Sequence, residues 1–273
     1  MRPTGLPTAS GSSEPASPPR QRSKKALARR RRRAAKLFKF DRDLGCRFVA
    51  GADEAGRGSL AGPLVAAGVL LDYDRLTMRD RRALGLLDDS KQRSPDEREE
   101  LYPVVMRAAA RVAVTVRCVR GIDSRGLHNT NLSALARSLE RVAVPGAACL
   151  TDGFRLGPRC RVEHRAVIDG DAKSAAIAAA SVIAKVTRDR YMRRIAGEYP
   201  GFNFDENVGY STPEHRAAIV AHGPSRLHRR SFASIAYSQL ELGEEFDLKR
   251  GANVLVVEDA ARAVEAHADH IEP

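Results

Sequence analysis

No run of about 18 consecutive apolar residues occurs in the 273, so the sequence offers no membrane-spanning helix. The N-terminus also lacks the apolar stretch of about 7 residues that a secretory signal needs. Cysteine is scarce: Cys46, Cys118, Cys149 and Cys160 are irregularly spaced, and no two form a C-x-x-C pair. That spacing favours free, buried thiols in a reducing compartment over a disulfide. Together these absences predict a soluble, cytoplasmic protein. Acid is almost missing from the first 40 residues, where Glu14 alone stands against 12 Lys/Arg, a net of +11.

Positive charge is plentiful and unevenly spread. The whole chain carries +12; from Gln239 to the end, 3 Lys/Arg against 9 Asp/Glu give −6, which leaves +7 for residues 41–238. A basic body predicts a polyanionic partner. The length suits one large domain or two modest ones. Residues 1–36, rich in Ser, Pro and Arg, cannot bury enough apolar surface to fold alone, and they predict a disordered basic arm over residues 1–40. Its Arg29–Arg33 run would attract phosphates without regard to sequence. The same composition is also that of an organelle transit peptide. A body over 41–238, helical from about residue 190, and an acidic tail over 239–273 complete the expected division.

The stretch Arg47–Leu71, RFVAGADEAGRGSLAGPLVAAGVLL, organises the rest. The small apolar run Phe48–Ala52 predicts a buried strand that ends in Asp53 and Glu54. Neighbouring strand residues face opposite sides, so a site using both carboxylates is expected to need the strand to finish and bend there. Gly56 and Gly58 supply that freedom and let backbone N–H groups approach a ligand, with the Arg57 cation between them. Pro63–Leu71 predicts a second strand. Ser94-Pro95-Asp96-Glu97 is a capping box with proline at the first helical position, a helix start, and Pro103 predicts a kink or break near Tyr102. Arg111–Val119 alternates as a third strand, and Leu132, Leu135, Ala136, Leu139 and Val142 recur at helical spacing over 131–143. Ala148–Thr151 is a short apolar strand ending in Asp152 and Gly153. Arg161–Ile168 predicts a further strand whose turn holds Asp169, Gly170 and Asp171, and Ala175–Ile195 a long alanine-rich helix.

Acidic turns at three strand ends suit phosphodiester cleavage. In-line attack on phosphorus builds charge on the attacking and leaving oxygens, and two divalent ions about 3.5–4 Å apart stabilise both. Mg²⁺ prefers hard oxygen ligands and keeps several waters, so Asp53, Glu54, Asp152 and Asp171 meet the requirement. Histidine and cysteine, which zinc would want, are absent from these turns. The competing reading is that such acids cap turns and helices. For one Asp-Gly that reading is the better one, and for the set, in a basic body, the site is. Gly56-x-Gly58-x-x-Ala61 matches a dinucleotide fingerprint, yet the stretch after it reads as a strand and the two acids ahead of it would repel a pyrophosphate. Gly51-x-x-x-x-Gly56 lacks the Lys-Ser/Thr of a P-loop. A non-catalytic nucleic-acid binder is the alternative of a different class, but it gains nothing from repulsive carboxylates beside its phosphate site.

GADEAGRGSLAGPLVAAGVLL, LDDSK, TDGF, GDAKSAAIAAASVIAKVTRDR, GYSTPEH and HGPSRLHRRSF occur in the order seen in bacterial ribonuclease HII, and the chain resembles that family over most of residues 47–237. The resemblance implies an α/β, RNase H-like fold with a mixed five-stranded sheet flanked by helices and a helical C-terminal part. It implies an endonuclease dependent on Mg²⁺ or Mn²⁺, acting on RNA–DNA hybrids and on single ribonucleotides in duplex DNA; a monomer is expected. The cut falls on the 5′ side of the ribonucleotide and leaves 3′-hydroxyl and 5′-phosphate ends. Residue by residue, the metal-binding carboxylates fall on Asp53, Glu54, Asp152 and Asp171, while Asp169 is a neighbour the motif does not select. The element that contacts the ribose falls on Gly56, Arg57 and Gly58, its partner tyrosine on Tyr210, and lysine positions on Lys91 and Lys185.

The sequence departs from that pattern in places. Asn207-Val208 stands where relatives often read His-Lys, Ser90-Lys91-Gln92-Arg93 where they read Ser-Lys-Lys-Leu, and Ser59 where many carry proline. His215, in the first turn of a helix opened by Ser211-Thr212-Pro213-Glu214, is expected at the surface. His222 and His228 are expected to be packing or phosphate contacts.

Overall fold

Strands of small and branched residues, with helices close on both faces, dominate the computed structural model, which describes residue 32, residues 35–89 and residues 94–232. Strand β1 (Phe48–Ala55) pairs antiparallel with β2 (Leu64–Asp72), which pairs antiparallel with β3 (Arg111–Arg117). On its other side β1 pairs in parallel with β4 (Ala148–Asp152), and β4 in parallel with β5 (Arg165–Val167), giving the order β3-β2-β1-β4-β5. Every residue of β2 is buried, as expected for a strand covered on both faces.

The helices are α1, seen over residues 35–42, α2 (Met78–Ala83), α3 (Pro95–Ala108), α4 (Val119–Arg125), α5 (Leu127–Val142), α6 (Ala175–Ile195), α7 (Phe204–Asn207) and α8 (Pro213–His222). One face of the sheet packs Val49, Val65 and Val69 against α6, with Leu37, Phe38 and Leu101 in the same core. The other packs Ala50, Ala52, Leu64 and Ala66 against Leu132, Leu135 and Leu139 of α5. A Cβ on Gly51 would lie 2.3 Å from the backbone of Ala176, so this position has to be glycine for α6 to seat against β1. A third, smaller core joins the end of α6 to α7 and α8 through Met192, Phe202, Phe204 and Ile219.

Several expectations need correcting. The first strand does not finish at its acids: Asp53 and Glu54 lie within β1, opposite Ala67 and Ala66, and pairing runs on to Ala55 opposite Val65. The bend comes at Gly56, whose φ of 85° only glycine adopts easily. Pro103 does not break α3, because its exposed position loses one backbone bond while buried Leu101, Val105 and Met106 hold the helix on either side. The strand expected over Arg161–Ile168 shrinks to Arg165–Val167, and the helix expected from residue 131 begins at Leu127. The expected end of the arm at residue 40 moves back, since residues 35–42 are helical and bury Leu37 and Phe38. Asp41 is buried there and accepts from Ala176 N–H (3.0 Å), tying α1 to the start of α6. The rest of the arm, Lys91 with its loop, and the acidic tail lie outside the described residues.

Candidate active site

Alternation along β1 sends its two carboxylates to opposite faces of the sheet. Asp53 faces α6, where the Ser181 hydroxyl reaches it, and Glu54 faces α5 and the Asn131 side chain. Asp152 ends β4, one residue beyond the Ala52–Thr151 pair, because parallel strands finish at the same edge. Its Oδ1 accepts from Gly170 N–H at 2.7 Å. Asp171 follows in the 3₁₀ turn Gly170–Ala172 and is 6% exposed, whereas Asp169 is exposed in a left-handed conformation. The sheet edge therefore gathers residues far apart in sequence onto one small surface.

These groups feel one another. The Asp53 carboxyl is held well above its ordinary range, first by burial, then by the charges of Glu54 and Asp152. Burial pushes Glu54 up to about 7, with the Arg57 guanidinium and Asn131 opposing and Asp152 adding to the rise. Glu54 Oε2 is buried without a hydrogen-bond partner, and so are both side-chain atoms of Asn131. Buried polar atoms of this kind normally find partners. An acceptor left over beside the Asp53 and Asp152 carboxylates, all hard oxygen donors, fits a divalent cation. Among the described residues no three His, Cys, Asp or Glu side chains already converge as ligands. The carboxylates are instead turned to protein donors: Asp152 Oδ1 to Gly170 N–H, and Asp53 Oδ1 to Glu54 N–H at 2.7 Å.

The cluster works against the fold. A carboxyl whose folded pKa is raised binds its proton more tightly when folded, so stability is lost as pH climbs from the unfolded pKa through the folded one. For Glu54 that window runs from 4.5 to about 7. Asp53→Asn is therefore expected to raise the Tm of the metal-free protein at pH 8 by several degrees, at about 2–4 °C for each kcal/mol relieved. Calorimetry at pH 8 and pH 5 checks this, and a gain as large at pH 5 would contradict the charge argument.

Beyond the acids, the turn after β1 is pinned from behind by two buried arginines. Arg188 of α6 donates through Nε to Pro63 O (3.0 Å), through Nη1 to Val208 O (2.8 Å), and through Nη2 to Ala61 O (2.9 Å) and Ser59 Oγ (2.7 Å). Ser59 in turn donates to Gly56 O at 2.9 Å, so the hydroxyl that replaces proline here is a working link. Arg229 donates to Gly62 O (3.1 and 3.0 Å), Pro63 O (3.2 Å) and Arg57 O (3.0 Å). A Cβ on Gly56 would fall 2.0 Å from Arg188 Nε, whereas one on Gly58 would meet nothing within 4 Å. Gly56 is thus required by the protein's own packing, and Gly58 leaves open surface.

The exposed Arg57 guanidinium rests 4.7 Å from the centroid of the Phe154 ring, two residues past Asp152. Tyr210 is half-buried, its ring 5.0 Å from Lys185 Nζ and 5.1 Å from the Arg188 guanidinium. Lys185 also lies 3.7 Å from Asp189. So Asp53, Glu54, Asp152, Asp171 and Arg57 share one sheet edge, and Tyr210 and Lys185 share a second group across Arg188. Lys91 lies outside the described residues. His215, expected at the surface, is fully buried, because the segment around His228 folds back over it.

Sequence reasoning passed over Arg188, Arg229, Asn131 and Phe154. Arg188 carried a signal: it follows Ile177, Ser181 and Ala184 at helical spacing, on a stripe otherwise buried and continued by Met192.

The model of the family described as Ribonuclease HII matches residues 50–235. The ribonuclease HII of Rhizobium johnstonii is 44% identical over 199 residues, covering 73% of this chain and 82% of that protein. That of Salinispora tropica is 45% identical over 208 residues, 75% of each chain. Among solved structures, ribonuclease H2 from Pyrococcus horikoshii superposes with a TM-score of 0.58 at 27% identity, over 68% of this chain and 94% of that one. Bst-RNase HIII, solved in complex with Mn²⁺, is similar in fold alone, with a TM-score of 0.56 at 21% identity over 71% and 70%.

Proposed function

The chain belongs to the ribonuclease HII family and is a ribonuclease H; on that premise we propose that it hydrolyses the RNA strand of RNA–DNA hybrids and also cuts 5′ to single ribonucleotides in duplex DNA. In this reading Asp53, Glu54, Asp152 and Asp171 hold Mg²⁺ or Mn²⁺. When bound, such ions supply charge stabilisation to the oxygens attacking and leaving phosphorus. Gly56, Arg57 and Gly58 meet the ribose, Tyr210 packs on its sugar, and Lys185 and Lys91 face phosphates. The products carry 3′-hydroxyl and 5′-phosphate ends.

The observation that carries the proposal is the burial of the Asp53 and Glu54 carboxyls beside Asp152, whose charge adds to the rise of both, with Glu54 Oε2 left unpartnered. A protein that only bound polyanions would be weakened by such a cluster, whereas one that must attract divalent cations needs it. Arg57 beside the acids, and Lys185 beside Tyr210, offer cations to the phosphates on either side. The deciding experiment is cleavage of a DNA duplex containing one ribonucleotide, with Mg²⁺, with Mn²⁺ and with neither. Metal-independent binding without cleavage would favour the non-catalytic reading.

No described helix is long and apolar enough to cross a membrane. We read the protein as a cytoplasmic monomer in which a basic arm precedes the catalytic body and an acidic tail follows it. Deleting residues 1–36 removes 11 of the 12 basic residues counted before residue 41. Nonspecific DNA affinity is then expected to weaken and its logarithmic salt slope to flatten, by about 0.9 for each phosphate that the arm no longer neutralises. Titrations between low and moderate salt check this, and an unchanged slope would mean that the arm does not touch the backbone.

A further inference from the structure

His215 and His228 form a buried chain that the proposed chemistry leaves unused. His215 is fully buried and His228 is 2% exposed, and both rings pack against Phe202 and Phe204. His228 Nδ1 accepts from Ser225 N–H at 2.8 Å, with the Ser225 hydroxyl also 2.8 Å away. That leaves the His228 proton on Nε2. His228 Nε2 faces His215 Nε2 at 3.1 Å, so His215 Nε2 accepts and its own proton sits on Nδ1. His215 Nδ1 then donates to the Tyr210 carbonyl at 2.8 Å. One pair of neutral tautomers satisfies every bond in the chain. Burial supports neutrality: it holds His215 below its ordinary value, and together with His215 it pushes His228 down to about 4.

The chain ends on the backbone carbonyl of the residue proposed to pack on the sugar, and its other end is bound to Leu60 and Ala61, just past the turn proposed to meet the ribose. His228 bridges Ala61, Arg229 N–H donates to Leu60 O at 2.9 Å, and Gly209 O accepts from Leu60 N–H (2.8 Å) and Ala61 N–H (3.2 Å). We infer that His215 and His228 are positioning residues that set Tyr210 against the Gly56-Arg57-Gly58 turn and so govern selectivity for a lone ribonucleotide in DNA. The inference rests on the proposed role of Tyr210.

The full-length protein, with Mg²⁺ or Mn²⁺ added, tests it on two substrates, a duplex with one ribonucleotide and a continuous RNA–DNA hybrid. H215F keeps the ring volume among Phe202 and Phe204 but cannot donate to Tyr210. The expected loss is about tenfold on the lone ribonucleotide, the scale of one hydrogen bond, and less than about threefold on the hybrid. H215N, whose amide can donate from the Nδ1 position, is expected to recover most of the loss. In a Tyr210→Ala background H215F should add nothing further, because both changes act through one residue. Equal losses on both substrates, or losses that multiply in the double variant, would overturn the inference. Tyr210→Ala alone separates the two levels: an equal loss on both substrates sinks the reading of Tyr210 itself, whereas a selective loss there with none in H215F sinks only the histidine chain. Where H215F does not fold, H228N carries the comparison, since it keeps an acceptor for Ser225 N–H and removes the donor to His215. A selective loss of about threefold supports the inference and an unselective one overturns it.

Discussion

Asp152→Asn is expected to remove nearly all cleavage while leaving nucleic-acid binding intact. Asparagine keeps an oxygen that can accept from Gly170 N–H, so the 2.7 Å bond that shapes the turn survives and the fold is spared. The variant loses a negative charge that Asp53 and Glu54 both feel, at the place proposed to hold the metal ions. The expected fall is on the order of 10³-fold, because losing a group that merely supports a metal ligand already costs about 10–100-fold. Single-turnover cleavage with saturating Mg²⁺ or Mn²⁺ and binding measured in chelator are the two readouts. Activity within tenfold of the parent would mean that Asp152 serves only to cap its turn.

The second large effect concerns how one ribonucleotide is told from its DNA neighbours. The distinguishing group is the 2′-hydroxyl, which both donates and accepts. A site built to hydrogen-bond a hydroxyl leaves its own polar groups unpaired when the hydroxyl is missing, which gives discrimination of about 10⁴ or more. Tyr210→Ala is expected to lose on the order of 100-fold on a lone ribonucleotide and less than about tenfold on a continuous hybrid, where neighbouring 2′-hydroxyls and an A-like duplex still position the strand. The loop itself should hold its place, since Arg188 keeps its bonds to Pro63, Val208, Ala61 and Ser59 without the tyrosine ring. The ratio of the two cleavage rates in mutant and parent is the measurement. A uniform loss would assign Tyr210 to general binding or stability.

Local pattern made much of the fold legible. The unbroken small-apolar run of β2, the alternation of β3 and the alanine-rich α6 are each encoded within their own window, and each appears within a residue or two of its expected place. The errors came where distant segments decide. The strand carrying Asp53 and Glu54 looked finished at its acids because burying carboxylates breaks a local rule; pairing with β2 overrides that rule, as sites often require. His215 looked exposed because its burial comes from His228, 13 residues on, in a segment with no periodicity to read. Arg188 was passed over because most of its partners are backbone carbonyls, which only its place on a buried helical stripe could have hinted at. Strand alternation already set Asp53 and Glu54 on opposite faces; what it could not tell is that the strand would continue through both acids to Ala55.

The parallel pairing of β1 with β4 has a consequence for the order in which the protein is made. Asp53 and Glu54 sit on the first strand, yet Asp152 and Asp171 arrive only after the long crossover through β2, β3 and α5. Synthesis at about 5–20 residues per second leaves on the order of ten seconds between the first of these carboxylates and the last. A nascent chain that has emerged only as far as α5 holds half of the carboxylates and no α6 to seat against β1. The proposed metal site therefore cannot assemble on such a fragment, and closure of a contact spanning more than a third of the protein is a late and intrinsically slow step. Ribosome-bound fragments truncated before and after residue 195, tested for cleavage, would time that step directly.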